Sequence, residues 1–154
     1  FPDFGIGVAG YPAPHPESPS FSSDWRYTVA KIREGANFVV TQLFFDVREY
    51  FHFVDRLNDM GVSVPVIPGI LPVQSLASIR RTLSLCGANI PGKLYLELEA
   101  AHAEGGTEAV RQAGIAYAVR QIRTLLEGGA PGIHLYTLNR AETCLNILNE
   151  VGVL

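Results

Sequence analysis

The sequence predicts an α/β fold of about four parallel strands with flanking helices, either a (β/α)8 barrel or half of one. Three observations predict it. Short apolar segments alternate with longer stretches of helical periodicity, and consecutive βα units of this kind close right-handed into an open sheet or a barrel. The strand candidates are nearly continuous in Val, Ile, Leu and Phe instead of alternating, the pattern of strands buried on both faces. No GxGxxG or GxxxxGK[ST] follows any strand, which argues against a nucleotide-binding doubly wound sheet and leaves the barrel.

The elements follow in order. Gly5 to Ala9 reads as the first strand, and Ser22-Ser23-Asp24 offers N-caps for a helix ending near Gly35. Phe38 to Phe44 is the second strand. Val47 to Met60 then sets Tyr50, Phe51, Val54, Leu57 and Met60 at helical spacing, with Gly61 as the stop. Val64 to Ile67 is the third strand, and Ser75 can cap a helix containing Leu76, Ile79 and Leu83. A surplus insertion from about Gly87 to Gly106 precedes a longer helix from about Glu108 to Leu126. Gly132 to Tyr136 is the fourth strand. Asn139, three residues before Glu142, has the spacing of a capping box and opens a last helix through Leu145, Leu148 and Val151.

Nothing divides the 154 residues into two domains, so 1–154 reads as one partial barrel. The composition, 47% hydrophobic and 18% charged, supplies a globular core. A formal charge of −3 with scattered basic residues gives no reason to expect nucleic acid. Cys86 and Cys144 lack metal-type spacing and suit a reduced, cytoplasmic protein as small buried residues. No apolar run approaches the roughly 20 residues that span a bilayer, and no signal peptide is expected. The opening Phe4-Gly5-Ile6-Gly7-Val8-Ala9 already reads as a strand, which leads us to expect a piece of a longer protein.

In a βα barrel the strand C-termini and the loops after them build the active site. Here those loops are polar and aromatic: Gly10 to Ser18, Thr41 to Asp46, Pro68 to Pro72, and Tyr136 to Arg140. The proline-rich first loop reads equally well as a stiff turn. His15 and Glu17 on one loop do not make a metal site, and no metal is expected. Gln42 inside an apolar strand is either a satisfied core amide or a ligand-facing one, and its place near the strand's C-terminus favours the ligand. Asp46 reads as the cap of the next helix. Arg140 at a helix start opposes the helix dipole, a small cost that an anionic ligand would offset; a solvated surface arginine is the alternative. Glu97, Glu99, His102 and Glu104 in the insertion read as a solvated face.

Four motifs together resemble methylenetetrahydrofolate reductases: Val8-Ala9-Gly10-Tyr11-Pro12 with His15-Pro16-Glu17; Gly35-Ala36-Asn37 with Thr41-Gln42-Leu43-Phe44-Phe45-Asp46; Pro68-Gly69-Ile70-Leu71-Pro72; and His134-Leu135-Tyr136-Thr137-Leu138-Asn139-Arg140. The insertion is the poorest match. The resemblance implies the C-terminal half of a (β/α)8 TIM barrel, strands five to eight, binding FAD non-covalently. NADH or NADPH would reduce the flavin, which would reduce methylenetetrahydrofolate to 5-methyltetrahydrofolate. By position, Tyr11 and His15 resemble residues that hold the FAD ribityl and diphosphate region, and Ser18, Asp24, Tyr27 and Lys31 match further FAD contacts. Gln42 matches a glutamine that contacts folate and nicotinamide, and Arg140 an arginine on the folate side. Thr82 stands where some family members place a mobile phenylalanine. The family's acidic proton donor would precede Phe1, so no catalytic acid is expected in this chain, which alone should bind FAD weakly and not turn over. The family commonly forms homo-oligomers. The competing readings are a non-catalytic half-barrel fragment, interface or regulatory piece, and another pterin-using barrel such as a corrinoid-linked methyltransferase.

Overall fold

Four parallel strands form one sheet in sequence order: β1 (Gly7–Gly10), β2 (Phe38–Leu43), β3 (Val66–Ile70) and β4 (His134–Leu135). The computed structural model describes residues 3–153. Between the strands lie α1 (Phe21–Arg33), α2 (Val47–Asp59), α3 (Leu76–Cys86) and α4 (Gly92–Glu127), and α5 (Ala141–Val151) closes the order.

The sheet is covered on one face. The pairing row Val8, Val39, Val66 points into the main core, where Val29, Tyr50, Phe53, Leu57, Ile115, Ile122 and Leu125 from the helices meet it. The next row, Ala9, Val40 and Ile67, belongs to neither hydrophobic cluster, and β2 alternates strictly between half-buried and buried residues. The expectation of strands buried on both faces therefore fails for this chain. Its apolar second face has no layer over it among the described residues, and that face would be the interior of a closed barrel.

Several boundaries move for local reasons. The N-cap of α1 is Ser20, whose hydroxyl accepts from the Ser23 N–H at 3.2 Å; Asp24, one of the predicted caps, is turned back toward the preceding loop. β3 starts later than predicted and runs to Ile70, while β4 shortens to two residues. Asn139 does not cap α5. It and Leu138 adopt left-handed backbone (φ 62° and 44°), which places Arg140 at the N-cap position with no side-chain cap bond. Asp46 and Ser75 do cap their helices, the latter in a reciprocal capping box with Ser78.

In the insertion Glu99, His102 and Glu104 are exposed, as expected of a solvated face, and Glu97 is half-buried, but the segment is helical and its other side is packed. Residues from Gly92 onward form the first part of α4, which breaks at Gly105 and Gly106, the second at φ 63° and ψ −148°. Before the break, Leu94 and Leu98 are buried in a second cluster with Leu43, Phe45, Val73, Ile79 and Val110. Glu97 reaches Arg120 at 3.0 Å and Glu99 reaches Arg80 at 3.7 Å, so these acids tether the hairpin formed by the two parts of α4 and its neighbour α3. The periodicity was interrupted by the paired glycines, which hid the helix from the sequence reading. Replacing Leu98 by Ala should cost about 2–5 kcal/mol in urea unfolding, whereas the same change at exposed Leu96 should stay within about 0.5 kcal/mol.

Candidate functional site

The loop after β1 folds back against α1 and leaves a cleft of about 320 Å3 between them. Tyr11, His15, Glu17, Ser18 and Pro19 line it from the loop, and Asp24, Tyr27, Thr28 and Lys31 from the helix. All six residues expected to contact a cofactor thus border one cavity. Lys31 sits one helical turn beyond Tyr27, a spacing that puts both on one face. Its Nζ donates to the Ala9 carbonyl at 2.9 Å and lies 5.8 Å from the centre of the Tyr11 ring. The Tyr11 and His15 rings meet edge to face at 5.0 Å.

Asp24 has a different task. It is 5% exposed, and its Oδ2 accepts from the His15 backbone N–H at 2.8 Å. A buried carboxylate must be satisfied, and here the donor is the loop itself. The loop is further tied by the Ser18 N–H donating to the His15 carbonyl at 2.8 Å. Thr28 and Pro19, which sequence reasoning passed over, also line the cavity; helical spacing from Asp24 could have flagged Thr28.

Arg140 lies elsewhere, at a second cleft of about 370 Å3. Leu71, Gln74, Ser75, Ser78, Tyr136, Thr137 and Thr143 line it with Arg140. The Thr143 hydroxyl donates to Gln74 Oε1 at 3.3 Å across the cleft floor. Gln74, Ser78 and Thr143 were missed because each is ordinary in a loop or helix, whereas Tyr136 and Thr137 lie in a loop expected to build the site; only the fold converges them. Thr82 borders a small notch beside this cleft, with Leu71, Ser78 and Leu138.

Gln42 lines neither cleft. It sits at the C-terminal end of β2, half-buried, and its Oε1 accepts from the Leu43 N–H at 2.9 Å. Among the described residues its amide nitrogen has no hydrogen-bond partner. In the first turn of α2, Glu49 is held above the ordinary glutamate value, first by burial, with an Asn89 amide opposing and the Asp46 charge adding. Its Oε2 is buried without a partner. Burial also raises the Tyr117 hydroxyl, which donates to the Phe45 carbonyl.

This arrangement can be set beside known proteins. The family model for methylenetetrahydrofolate reductase matches residues 1–152. The chain belongs to the methylenetetrahydrofolate reductase family. It is 40% identical over 151 residues to a probable methylenetetrahydrofolate reductase (NADPH) of Caenorhabditis elegans, covering 97% of this chain and 22% of that protein. It is 37% identical to the 5,10-methylenetetrahydrofolate reductase of Salmonella typhimurium, covering 98% of this chain and 50% of that one. A methylenetetrahydrofolate reductase (NADH) of Arabidopsis thaliana is 34% identical over 98% of this chain and 27% of its own length. The chain therefore spans half or less of these curated reductases. A solved structure from Clostridium thermocellum, of an uncharacterized protein described as binding two copies of 5-methyl-5,6,7,8-tetrahydrofolic acid, shares the fold with a TM-score of 0.62 at 19% identity, over 99% of this chain and 54% of that one.

Two outcomes follow for the reductase segment. Asp24→Ala removes the acceptor for the His15 N–H and should destabilise by about 1–3 kcal/mol, with faster limited proteolysis within residues 11–19. Glu49 has its folded pKa raised, so the folded state favours the neutral acid, and stability is lost as pH rises through that value. Glu49→Gln should therefore raise the thermal midpoint at pH 7. The gain should vanish as the pH falls below the ordinary value of 4.5.

Proposed function

We propose that the full-length protein carrying this chain is a flavin-dependent oxidoreductase that reduces 5,10-methylenetetrahydrofolate to 5-methyltetrahydrofolate with NADH or NADPH. The observation that carries this reading is the convergence of Tyr11, His15, Ser18, Asp24, Tyr27 and Lys31 on one cleft in a member of this reductase family.

The residues present suit FAD. A diphosphate needs a cation and hydrogen-bond donors, and the cleft offers the Lys31 ammonium and the hydroxyls of Ser18, Tyr11 and Tyr27. Asp24, already engaged with the loop backbone, serves by holding His15 and Ser18 in place, which spares a neighbouring anion from facing an unpaired carboxylate. FAD, when bound, supplies the hydride transfer between the reduced nicotinamide and the folate.

The second cleft suits the folate. Arg140 offers a permanent positive charge to the substrate's carboxylates, and the surrounding hydroxyls offer further donors. Gln42 presents amide N–H groups to an acceptor on the pterin or the nicotinamide. The acid that protonates the substrate lies outside this chain on this reading, as do barrel strands one to four, with this chain supplying five to eight. The uncovered apolar row of Ala9, Val40 and Ile67 supports that division. We place the protein in the cytoplasm as a homo-oligomer with small-molecule partners; no helix among the described residues is long and apolar enough to cross a membrane.

Flavin titration tests the reading. The full-length protein should take up FAD as a yellow, reducible complex, and Lys31→Ala should weaken it by about tenfold or more, the scale of one charge-assisted hydrogen bond. The isolated chain should bind weakly and not turn over. Unchanged affinity in the lysine variant, or a tight reducible complex of the isolated chain, contradicts it.

A further inference from the structure

β2 leaves the sheet at Leu43, and the next two residues, Phe44 and Phe45, are 0% and 1% exposed. Their carbonyls lie past the end of the strand, so each needs a donor from elsewhere in the fold. Both donors come from α4. Gln121 Nε2 donates to the Phe44 carbonyl at 2.9 Å, and the Tyr117 hydroxyl donates to the Phe45 carbonyl. Gln121 is itself 5% exposed, in a helix whose other deeply buried side chains are apolar. An amide is tolerated in such a place only when it is bonded.

The same face of α4 meets the next strand. Gly114, Tyr117 and Gln121 follow at i, i+3 and i+7, one stripe along a helix. A Cβ on Gly114 would lie 2.2 Å from the Val73 carbonyl oxygen, so only glycine lets the helix come this close to the chain leaving β3. Val73 precedes Gln74, which lines the Arg140 cleft and accepts from the Thr143 hydroxyl. Gln42 lies two residues before Phe44. One helix face thus fixes the exits of both inner strands, the one that carries Gln42 and the one that carries Gln74. The insertion backs this face. Tyr117 packs in the second cluster with Phe45, Leu94 and Leu98, and Arg120 lies 5.5 Å from its ring centre while reaching Glu97. That ion pair is on the surface and contributes little; the buried leucines hold the arm.

We infer that Tyr117 and Gln121 are positioning residues for the reductase reaction: they hold the exit of β2 so that the Gln42 amide and the Arg140 cleft keep the separation that one folate molecule needs. Neither residue lines either cleft, so both act through Gln42. The inference rests on the reading of Gln42 as a substrate contact.

A double-mutant cycle in a full-length reductase carrying this segment tests it. The readouts are the Kd for 5-methyltetrahydrofolate by calorimetric titration, the Kd for FAD, and the thermal midpoint. Gln42→Ala should weaken folate binding. Gln121→Leu and Tyr117→Phe each leave a buried carbonyl without its donor, and each should weaken folate binding by about fivefold, the scale of one neutral hydrogen bond. FAD affinity should stay within about twofold, because the cleft between the first loop and α1 takes no part in the clamp. In the Gln42→Ala background, Gln121→Leu should weaken folate binding by less than about twofold, because the group it positions is gone. Equal weakening by Gln121→Leu in both backgrounds overturns the inference while leaving Gln42 as a contact. So does a lowered thermal midpoint with unchanged folate affinity, read in Gln121→Leu or, where that variant does not fold, in Tyr117→Phe. FAD affinity that falls in step with folate affinity makes the clamp a matter of general stability and also overturns it. If Gln42→Ala alone leaves folate affinity unchanged, the reading of Gln42 fails and the inference with it.

Discussion

Pro68 cannot donate a hydrogen bond, yet it is buried in an inner strand of a parallel sheet. Its nitrogen lies on the β4 side, because the Gly69 N–H reaches Thr41 of β2 while the Ile70 carbonyl accepts from the Tyr136 N–H, and the two-residue β4 asks no donor of it. On its other side the strand meets a bulge, where β2 gains a residue and Thr41 and Gln42 share one partner. Much else at this end depends on that adjustment. It is why β3 must reach Gly69 before pairing resumes, why a small residue stands there, and why Tyr136 crosses the strand to reach Thr41.

The two clefts are built on different physics. The one between the first loop and α1 is organised by a buried acid holding backbone, with a lysine bridging helix and strand. That suits a ligand held by charge and stacking over a long edge. The cleft at Arg140 is framed by helix termini and hydroxyls, and its arginine is exposed. A left-handed pair, Leu138 and Asn139, turns the chain so that Arg140 begins α5 and faces that cleft. Gln42 lies on the sheet, tied to the second cleft through Tyr136.

The sequence disclosed what is local and periodic. Four strands, the helices α1, α2 and α5, the apolar face of α2, and the caps at Asp46 and Ser75 all follow from spacing and side-chain chemistry, whereas on α5 the expected Leu145 is exposed and Cys144 and Ile147 are buried. The six residues of the first cleft were named from motif resemblance, and they share a cavity because four come from the loop and first turn of one βα unit and two from the same face of its helix. Other features were hidden for physical reasons. The Gly105-Gly106 break split one periodic pattern into an apparent loop and a shorter helix. Asn139 satisfied the spacing of a cap but took left-handed backbone instead, which spacing cannot reveal. The open second face was masked because Ala9, Val40 and Ile67 are as apolar as covered residues. Thr41 and Tyr136 carried no signal for the bulge, because the expected third strand stopped at Ile67 and the pairing of Leu43 with Gly69 exists only in the folded sheet.

The most direct measurement is the structure of a full-length reductase carrying this segment, with FAD and 5-methyltetrahydrofolate bound together. The account predicts the flavin diphosphate within hydrogen-bond distance of Lys31 and the His15–Ser18 loop, the folate carboxylates toward Arg140, and an acceptor of the pterin on the Gln42 amide nitrogen. A diphosphate lying away from the cleft between the first loop and α1, or a folate that leaves Gln42 on solvent, would contradict it.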